Sequence, residues 1–462
     1  MIETAVSELT VSEPFNSLIN YVNMKFYNRE KEIAQLKEIQ KQSLINAQFT
    51  VVTGRRRIGK THLLLNATAG QPTLYFFVAR KAESYLCQDF QYEIKEKLGI
   101  PILGEISSFG KLFEYLMVHS KSRSFNLIID EFQEFFHIAP SVYSEMQHFW
   151  DVYKPDSKIN LIVSGSVFTL MHKIFENSKE PLFGRATQML KVRPFETAVL
   201  KEVLSDHYPS WTSEDLLALY CFTGGVAKYV QQFMDGGAYT RQAMIDLMIQ
   251  EDSLFLQEGK NMLIEEFGKE YANYFTILSA IARGENTRAK IEAVVRREIG
   301  GYLTKMERDY GLISKTIPIF SKVETKNVRY TLDDNFLTFW FRFIYKYSHL
   351  IEIRGFRELK KIVSRDYSTY SGKILERYFR TKLIEEENIT MIGGYWDRRG
   401  ETEIDLISVN ELKKRAEIIE VKRNSANIEI EKLKEKAYNF KKSTGQLKDY
   451  QIVYKGLSLS DM

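Results

Sequence analysis

Short apolar runs alternate along the chain with stretches of helical periodicity. Phe49-Thr50-Val51-Val52 is short, apolar and β-rich. Residues 125–131, Phe-Asn-Leu-Ile-Ile-Asp-Glu, run apolar and close on two acids. Residues 158–163, Lys-Ile-Asn-Leu-Ile-Val, end at Ser164-Gly165-Ser166. Runs that stay apolar without alternating predict central strands of a parallel sheet covered on both faces. Farther on, Tyr271, Tyr274, Phe275, Leu278 and Ile281 recur at helical spacing until Gly284. A second helix is predicted over 287–298 after a Thr287 cap, and a third over 301–310, ended by Gly311. Two β-rich runs follow, Leu312 to Phe320 and Val328 to Leu332. Three short helices and a hairpin predict a winged helix, with its third helix the one placed in a major groove. Residues 330–343 carry aromatics at helical spacing and predict a core helix between two domains. An amphipathic helix over 371–383, strands at 391–396, 403–409 and 417–422, a Lys-rich helix at 428–443 and a strand at 450–455 predict a second α/β unit.

This pattern divides the chain into a flexible lead (1–23), an α/β core (24–200), a helical lid (201–268), the winged helix (269–345) and a C-terminal α/β domain (346–462). The length, 462 residues, agrees with about three domains or more. No apolar run approaches the roughly 20 residues that span a bilayer, and the start has no basic-then-apolar signal pattern. Two cysteines, Cys87 and Cys221, argue against a disulfide framework and a four-ligand zinc site. The expected setting is a reducing cytoplasm. The net charge of +4 changes meaning when divided. Residues 1–279 carry 28 basic and 33 acidic side chains; residues 280–330 carry 11 and 6; residues 355–462 carry 22 and 18. An acidic front with a basic rear favours a polyanion at the rear, and duplex DNA is the common one.

The strand at 49–52 leads into Gly54-Arg55-Arg56-Arg57-Ile58-Gly59-Lys60-Thr61-His62, which opens a helical stretch. This is G-x-x-x-x-G-K-[ST] between strand and helix, the phosphate-loop context. The glycines let backbone N–H groups turn toward phosphates, and the following helix adds its positive end. Lys60 is expected on the β- and γ-phosphates and Thr61 on Mg²⁺, with ATP as the nucleotide. Residues 54 to 62 are therefore the expected nucleotide contacts. About 70 residues on, Asp130 is expected to hold Mg²⁺ and Glu131 to polarise the attacking water. Ser164, at the end of the third strand, fits a γ-phosphate sensor. Arg185, in the loop Leu182-Phe183-Gly184-Arg185, fits a finger on the transition-state charge, in cis or toward a neighbouring subunit.

Basic residues Arg288, Lys290, Arg296, Arg297, Lys305 and Arg308 surround the predicted groove-entering helix, and Lys315, Lys322, Lys326 and Arg329 lie on the hairpin. Winged helices also serve as protein adaptors, and both roles stay open. In the C-terminal domain, Glu420 and Lys422 are two apart on one strand and so share a face. With Asp405 on a neighbouring strand, the arrangement suits two carboxylates on Mg²⁺ and a lysine that steadies pentacovalent phosphorus. Glu376, on the preceding helix, is a candidate further ligand. An ordinary Lys-Glu strand pair, or a nuclease fold that no longer cuts, is the alternative.

Phe26-Tyr27-Asn28-Arg29-Glu30, the phosphate loop, Ile129-Asp130-Glu131-Phe132-Gln133, Ser164-Gly165-Ser166 and the Leu182–Arg185 loop together resemble the archaeal-type ATPase family, P-loop ATPases related to the AAA+ and STAND groups. The resemblance covers about 24–235. It implies a P-loop NTPase parallel sheet with a helical lid, and it makes Asn28 and Arg29 candidate adenine-side residues. Many AAA+ relatives carry Asn where this chain has Ser164. Asp405…Glu420-x-Lys422 resembles the PD-(D/E)xK nuclease superfamily, with Ile404 in place of the Pro of its name. Residues 365–457 also resemble the C-terminal domain that often accompanies archaeal-type ATPases. The implied whole is α/β: P-loop sheet, lid, winged helix, then a restriction-endonuclease-like domain. The expected function is an ATPase acting on DNA with a Mg²⁺-dependent nuclease module. The alternative is a nucleotide-switched regulatory or defence protein that binds DNA or a protein partner, or itself, without cutting.

Overall fold

The structure is a computed structural model that describes residues 25–462 except Leu103 and Val167. The expected flexible lead, 1–23, lies outside the described residues. The first sheet has five parallel strands in the order β2-β3-β4-β1-β5: β1 (Gln48–Thr53), β2 (Thr73–Phe77), β3 (Phe125–Asp130), β4 (Ile159–Gly165) and β5 (Gln188–Lys191). Its strands are apolar on both faces because both faces are covered. Val51, Leu127, Ile129, Leu161 and Val163 join one core, against helices Glu83–Leu98, Phe109–His119 and Ser141–Tyr153. Val52, Ile128 and Ile162 join the other, with helix Lys60–Ala67. β4 lies between β1 and β3, so the C-terminal ends of all three strands bring the phosphate loop, Ser164 and Asp130 to one edge.

Five helices between Thr197 and Phe267 form the lid. Then come Tyr271–Ala282, Arg288–Val295 and Gly300–Arg308, followed by an antiparallel pair, β6 (Ile313–Thr316) and β7 (Arg329–Leu332). Order and kind match the expectation for this region. The hairpin strands are shorter because the chain leaves the pair after Thr316. Pro318 has no N–H to donate, and the Ile319 N–H instead bonds the Gly394 carbonyl at 2.9 Å. The hairpin tip is thus docked on the C-terminal sheet. Phe336, Leu337, Phe339, Trp340, Phe341 and Phe343 are buried, as expected of a core segment.

The C-terminal sheet runs β11-β10-β9-β8, built from β8 (Met391–Trp396), β9 (Glu403–Asn410), β10 (Arg415–Val421) and β11 (Gln451–Leu457). Only β10 and β11 are parallel, and helix Ile430–Thr444 joins them. The helix expected over 371–383 is the rear half of one continuous helix, Phe356–Glu385. Gly372 does not interrupt it. A mid-helix glycine costs about 1 kcal/mol, and burial of Tyr367, Tyr370, Ile374, Leu375 and Tyr378 around it outweighs that cost. Those residues enter the core that also holds the lid.

Candidate functional site

The phosphate loop leaves β1 at Gly54, whose φ of 155° and closeness to the Val192 carbonyl exclude a side chain: a Cβ there would lie 2.7 Å from that oxygen. Gly59 caps the following helix in the left-handed conformation. Lys60 is buried, and its Nζ donates to the carbonyls of Gly54 (2.9 Å) and Arg55 (3.1 Å) across the loop. Burial holds its pKa below the usual lysine value, against the pull of Glu131 and Asp130. A buried ammonium on neutral carbonyls is prepared to exchange them for phosphate oxygens.

Asp130, at the end of β3, gathers the other groups. Thr61 Oγ1 donates to its Oδ2 at 2.8 Å and Tyr75 Oη at 2.7 Å. Ser164 Oγ donates to its Oδ1. Thr61 and Asp130, the expected Mg²⁺ pair, are therefore joined directly. Ser164 is committed to that carboxylate, whereas it was expected to report on the γ-phosphate. Glu131 has a left-handed φ of 54° and is held by Ser166 Oγ (2.8 and 3.1 Å) and by Gln133 Nε2. Sequence reasoning gave Ser166 and Gln133 no role. Their donor groups at fixed offsets from the acid were the available signal.

Arg29 is buried, and Nη2 donates to the carbonyls of Arg193 (2.8 Å) and Ile58 (3.4 Å), so it braces the loop's backbone. Asn28 beside it has a φ of 47°. His62 lies near Lys228 of the lid; partial desolvation, then that charge, hold its pKa below the usual histidine value. The Lys228 N–H bonds the Arg57 carbonyl at 3.1 Å, which brings a lid helix onto the loop. The three loop arginines diverge. Arg55 pairs with Asp334 and Arg57 with Glu258. Arg56 and Arg55 line a cleft with Ser166, Met262 and Tyr310, between the loop and the three-helix unit.

Arg185 is not brought to this edge. The next residues lie beside the start of β1: the Thr187 N–H bonds the Phe49 carbonyl at 2.8 Å. Arg185 itself donates to Asp151 (3.1 Å) and the Phe183 carbonyl (2.9 Å). In a parallel sheet that is the end opposite the phosphate loop, about 17 Å away along a six-residue strand. Of the two expected placements, the one within the same chain is not found.

The C-terminal cluster does assemble. Lys422 Nζ lies 3.3 Å from Glu420 and 3.7 Å from Asp405, and the Val421 N–H donates to Asp405 at 2.8 Å. Lys436, unforeseen from the sequence, donates to Glu420 at 3.2 Å. Burial raises the Asp405 pKa despite the Val421 N–H and Lys422. Burial also works to raise that of Glu420, but the Lys436 hydrogen bond and the Lys422 charge bring it below the usual value. Glu376 is pushed up to about 8, first by burial, then by Asp405 and Glu403. Among the described residues no three of His, Cys, Asp and Glu gather so as to hold a metal ion, so Glu376 is not joined to the pair as a third ligand. The hairpin reaches this region: Arg329 pairs with Glu403 at 2.7 Å and lies 4.3 Å over the Trp396 ring, and Trp396 Nε1 donates to Asn327 at 2.9 Å.

Residues 26–233 match a family model described as an ATPase domain predominantly from Archaea. Residues 340–436 match one described as archaeal and bacterial proteins of unknown function. An uncharacterized protein of Methanocaldococcus jannaschii is 30% identical over 444 residues, 93% of this chain and 94% of its own. Among solved structures, a Walker-type ATPase of Pyrococcus abyssi superposes with a TM-score of 0.53 at 19% identity, over 69% of this chain and 96% of that one. The ORC2 protein of Aeropyrum pernix gives 0.45 at 14% identity, over 72% and 96%. Among the described residues no helix is long and apolar enough to cross a membrane.

Proposed function

Since the chain belongs to the archaeal-type family of P-loop ATPases, we propose that it spends ATP hydrolysis on double-stranded DNA, with the three-helix unit and hairpin acting as a winged helix and the C-terminal sheet as a Mg²⁺-dependent nuclease module. The ATPase chemistry follows from the first site. Lys60 leaves the carbonyls of Gly54 and Arg55 for the phosphates, and the loop's N–H groups and the following helix receive the remaining charge. Glu131, fixed by Ser166 and Gln133, orients the attacking water. Thr61 and Asp130 fit Mg²⁺, because their oxygens already face one another. Mg²⁺ there supplies charge neutralisation on the phosphates. Asn28 and Arg29 are the adenine-side candidates, and His62 is a candidate nucleotide contact at the end of the loop. Arg185 remains only as a residue offered to a second copy of the chain. The proposed division keeps the expected segments 24–200, 201–268, 269–345 and 346–462, with the lid moved to begin at Thr197 because residue 201 falls inside helix Thr197–His207. The protein would act in the cytoplasm, with Cys87 and Cys221 as buried thiols.

The observation that carries the DNA reading is the convergence of Asp405 and Glu420 on Lys422, beside a basic hairpin anchored at Glu403. Two carboxylates from neighbouring strands and a lysine suit phosphodiester hydrolysis, with the carboxylates on Mg²⁺ and Lys422 on the phosphoryl oxygens. The test is Mg²⁺-dependent cleavage of plasmid and linear DNA, with and without ATP, by native protein and by Asp405→Ala and Lys422→Ala. Cleavage lost in both variants is expected; intact DNA with native protein under every condition removes the nuclease module. The second reading, a nucleotide-switched regulatory or defence protein that cuts nothing, is favoured by Lys436. Glu420 there already has two lysines, which compete with a metal ion. In either reading duplex binding should weaken steeply with salt through counterion release.

A further inference from the structure

Two phosphate-loop arginines are held by carboxylates from distant parts of the chain. Arg55 pairs with Asp334, which follows the hairpin, and Arg57 pairs with Glu258 of lid helix Leu254–Phe267. We infer that Asp334 and Glu258 are positioning residues of the nucleotide site, holding the phosphate loop in its binding shape through these arginines.

Both carboxylates are 4% exposed. Carboxylates so deeply buried need a cation and further hydrogen bonds, and the cation each meets is a loop arginine. Each also has a second partner independent of the loop. Asp334 Oδ1 caps the helix Asn335–Phe339 by accepting from the Leu337 N–H at 3.1 Å. Glu258 Oε1 accepts from Tyr229 Oη at 2.7 Å. Their positions are therefore set by the lid and the core, and the loop is what they position. The Lys228 N–H on the Arg57 carbonyl and Arg29 on the Ile58 carbonyl fix the loop's backbone at and just after the second pair. A phosphate loop binds through N–H groups that must converge; one released from these contacts has to be ordered at the moment of binding and loses affinity.

The Asp334 contact continues beyond the ATPase. Asn335, the next residue, donates to the Tyr220 carbonyl at 3.0 Å and accepts from Arg377 at 2.6 Å. Arg377 lies on the long helix beside Glu376. A connected set of polar contacts thus runs from phosphate loop to C-terminal module. By thermodynamic reciprocity, a shift of the long helix that strains Asn335 changes nucleotide affinity, and nucleotide changes the helix's preferred position by the same factor.

The test uses the full chain with ADP as probe, by titration calorimetry, and steady-state ATPase kinetics. Asp334→Asn removes the charge but keeps a good helix cap, and Glu258→Gln keeps an acceptor for Tyr229. Loss of one charge-assisted pair should weaken ADP about tenfold and raise KM for ATP about as much, with kcat falling less. Arg55→Gln should match Asp334→Asn, and the double variant should bind no worse than the weaker single one. Arg55→Gln alters the half-exposed partner and reads the same contact should the Asp334 variant fail to fold. The inference is overturned if either single variant binds ADP as native does, if the double variant loses the product of the two effects, or if kcat and melting temperature fall together with KM unchanged.

Discussion

At the scale of single residues, the nucleotide chemistry was legible where type and local spacing suffice. Lys60 and Thr61 are fixed by the loop motif, and Asp130 and Glu131 by the end of an apolar strand. Lys60→Ala should abolish ADP binding, since it removes the ammonium that spans the Gly54 and Arg55 carbonyls across the loop. Glu131→Gln should bind ATP and turn it over at least a hundredfold more slowly, the usual size of a lost general base; equilibrium binding and phosphate release measure both. Native turnover in either variant would sink the assignment. Asp334, Glu258 and Lys436 were not legible, because each reaches its partner across the fold and a lone acid or lysine carries no local signature. Glu376 yields a pH prediction for chelator-treated protein. Its folded pKa of about 8 exceeds the unfolded value, so the folded state holds more protons between the two. Stability should therefore fall as pH rises through that window and level off above it. Glu376→Gln should remove that slope, and its melting temperature should gain on the native protein's from pH 5 to pH 9. Parallel pH curves would show that the carboxyl is not so perturbed.

At the scale of elements, periodicity located β1, β3 and β4 and most elements from Tyr271 onward, but not β2, β5 or the individual helices between Glu83 and Phe267. The misplacements among the located elements have identifiable causes. The hairpin strand stops early because Pro318 removes a donor and the C-terminal sheet offers Ile319 a carbonyl. The long helix runs through Gly372 because packing outweighs propensity. The turn Thr223-Gly224-Gly225 joins lid to sheet. The Phe195 N–H bonds the Gly225 carbonyl at 2.8 Å, and a Cβ on Gly225, at φ 79°, would lie 2.5 Å from the Phe195 carbonyl. Gly225→Ala should thus cost about 2 kcal/mol or more. It should also weaken nucleotide binding, because the helix after this turn delivers Lys228 to the Arg57 carbonyl. Denaturant unfolding and ADP titration test it; a variant with native midpoint and native affinity would mean the turn bends freely.

At the scale of the whole molecule, the motifs lie in separate stretches of sequence, but the packing does not respect the boundary expected at 345/346. One apolar core runs from Tyr27 through the lid and the three-helix unit to Met462. Across that boundary Tyr378 packs edge-on against Tyr220 at 5.3 Å, Tyr370 against Phe343 at 5.4 Å, and Tyr367 tilts against Phe222 at 6.1 Å. Polar contacts follow the same seam. Glu214 of the lid accepts from Arg241 at 3.1 Å and from Arg423 at 2.6 Å, with both guanidinium groups over the Tyr367 ring. Glu385 accepts from the Thr197 N–H at the start of a lid helix. Hydropathy patterning reports which residues are buried but not which module buries them, so this union was not readable from the chain. Its consequence is an asymmetric response to truncation. A chain ending at residue 345 uncovers Tyr220, Phe222, Phe339 and Phe343 together. Each large side chain so exposed costs about 1.5–3 kcal/mol, which together rivals a typical domain's whole stability. That chain should bind a hydrophobic dye, lose its cooperative melt and bind ADP poorly even though every ATPase motif is intact. A chain ending at residue 387 keeps the long helix over these residues and should melt cooperatively and bind ADP better. Equal melts and equal ADP affinity for the two truncations would show that the lid does not need the long helix, and would separate the ATPase from its C-terminal module after all.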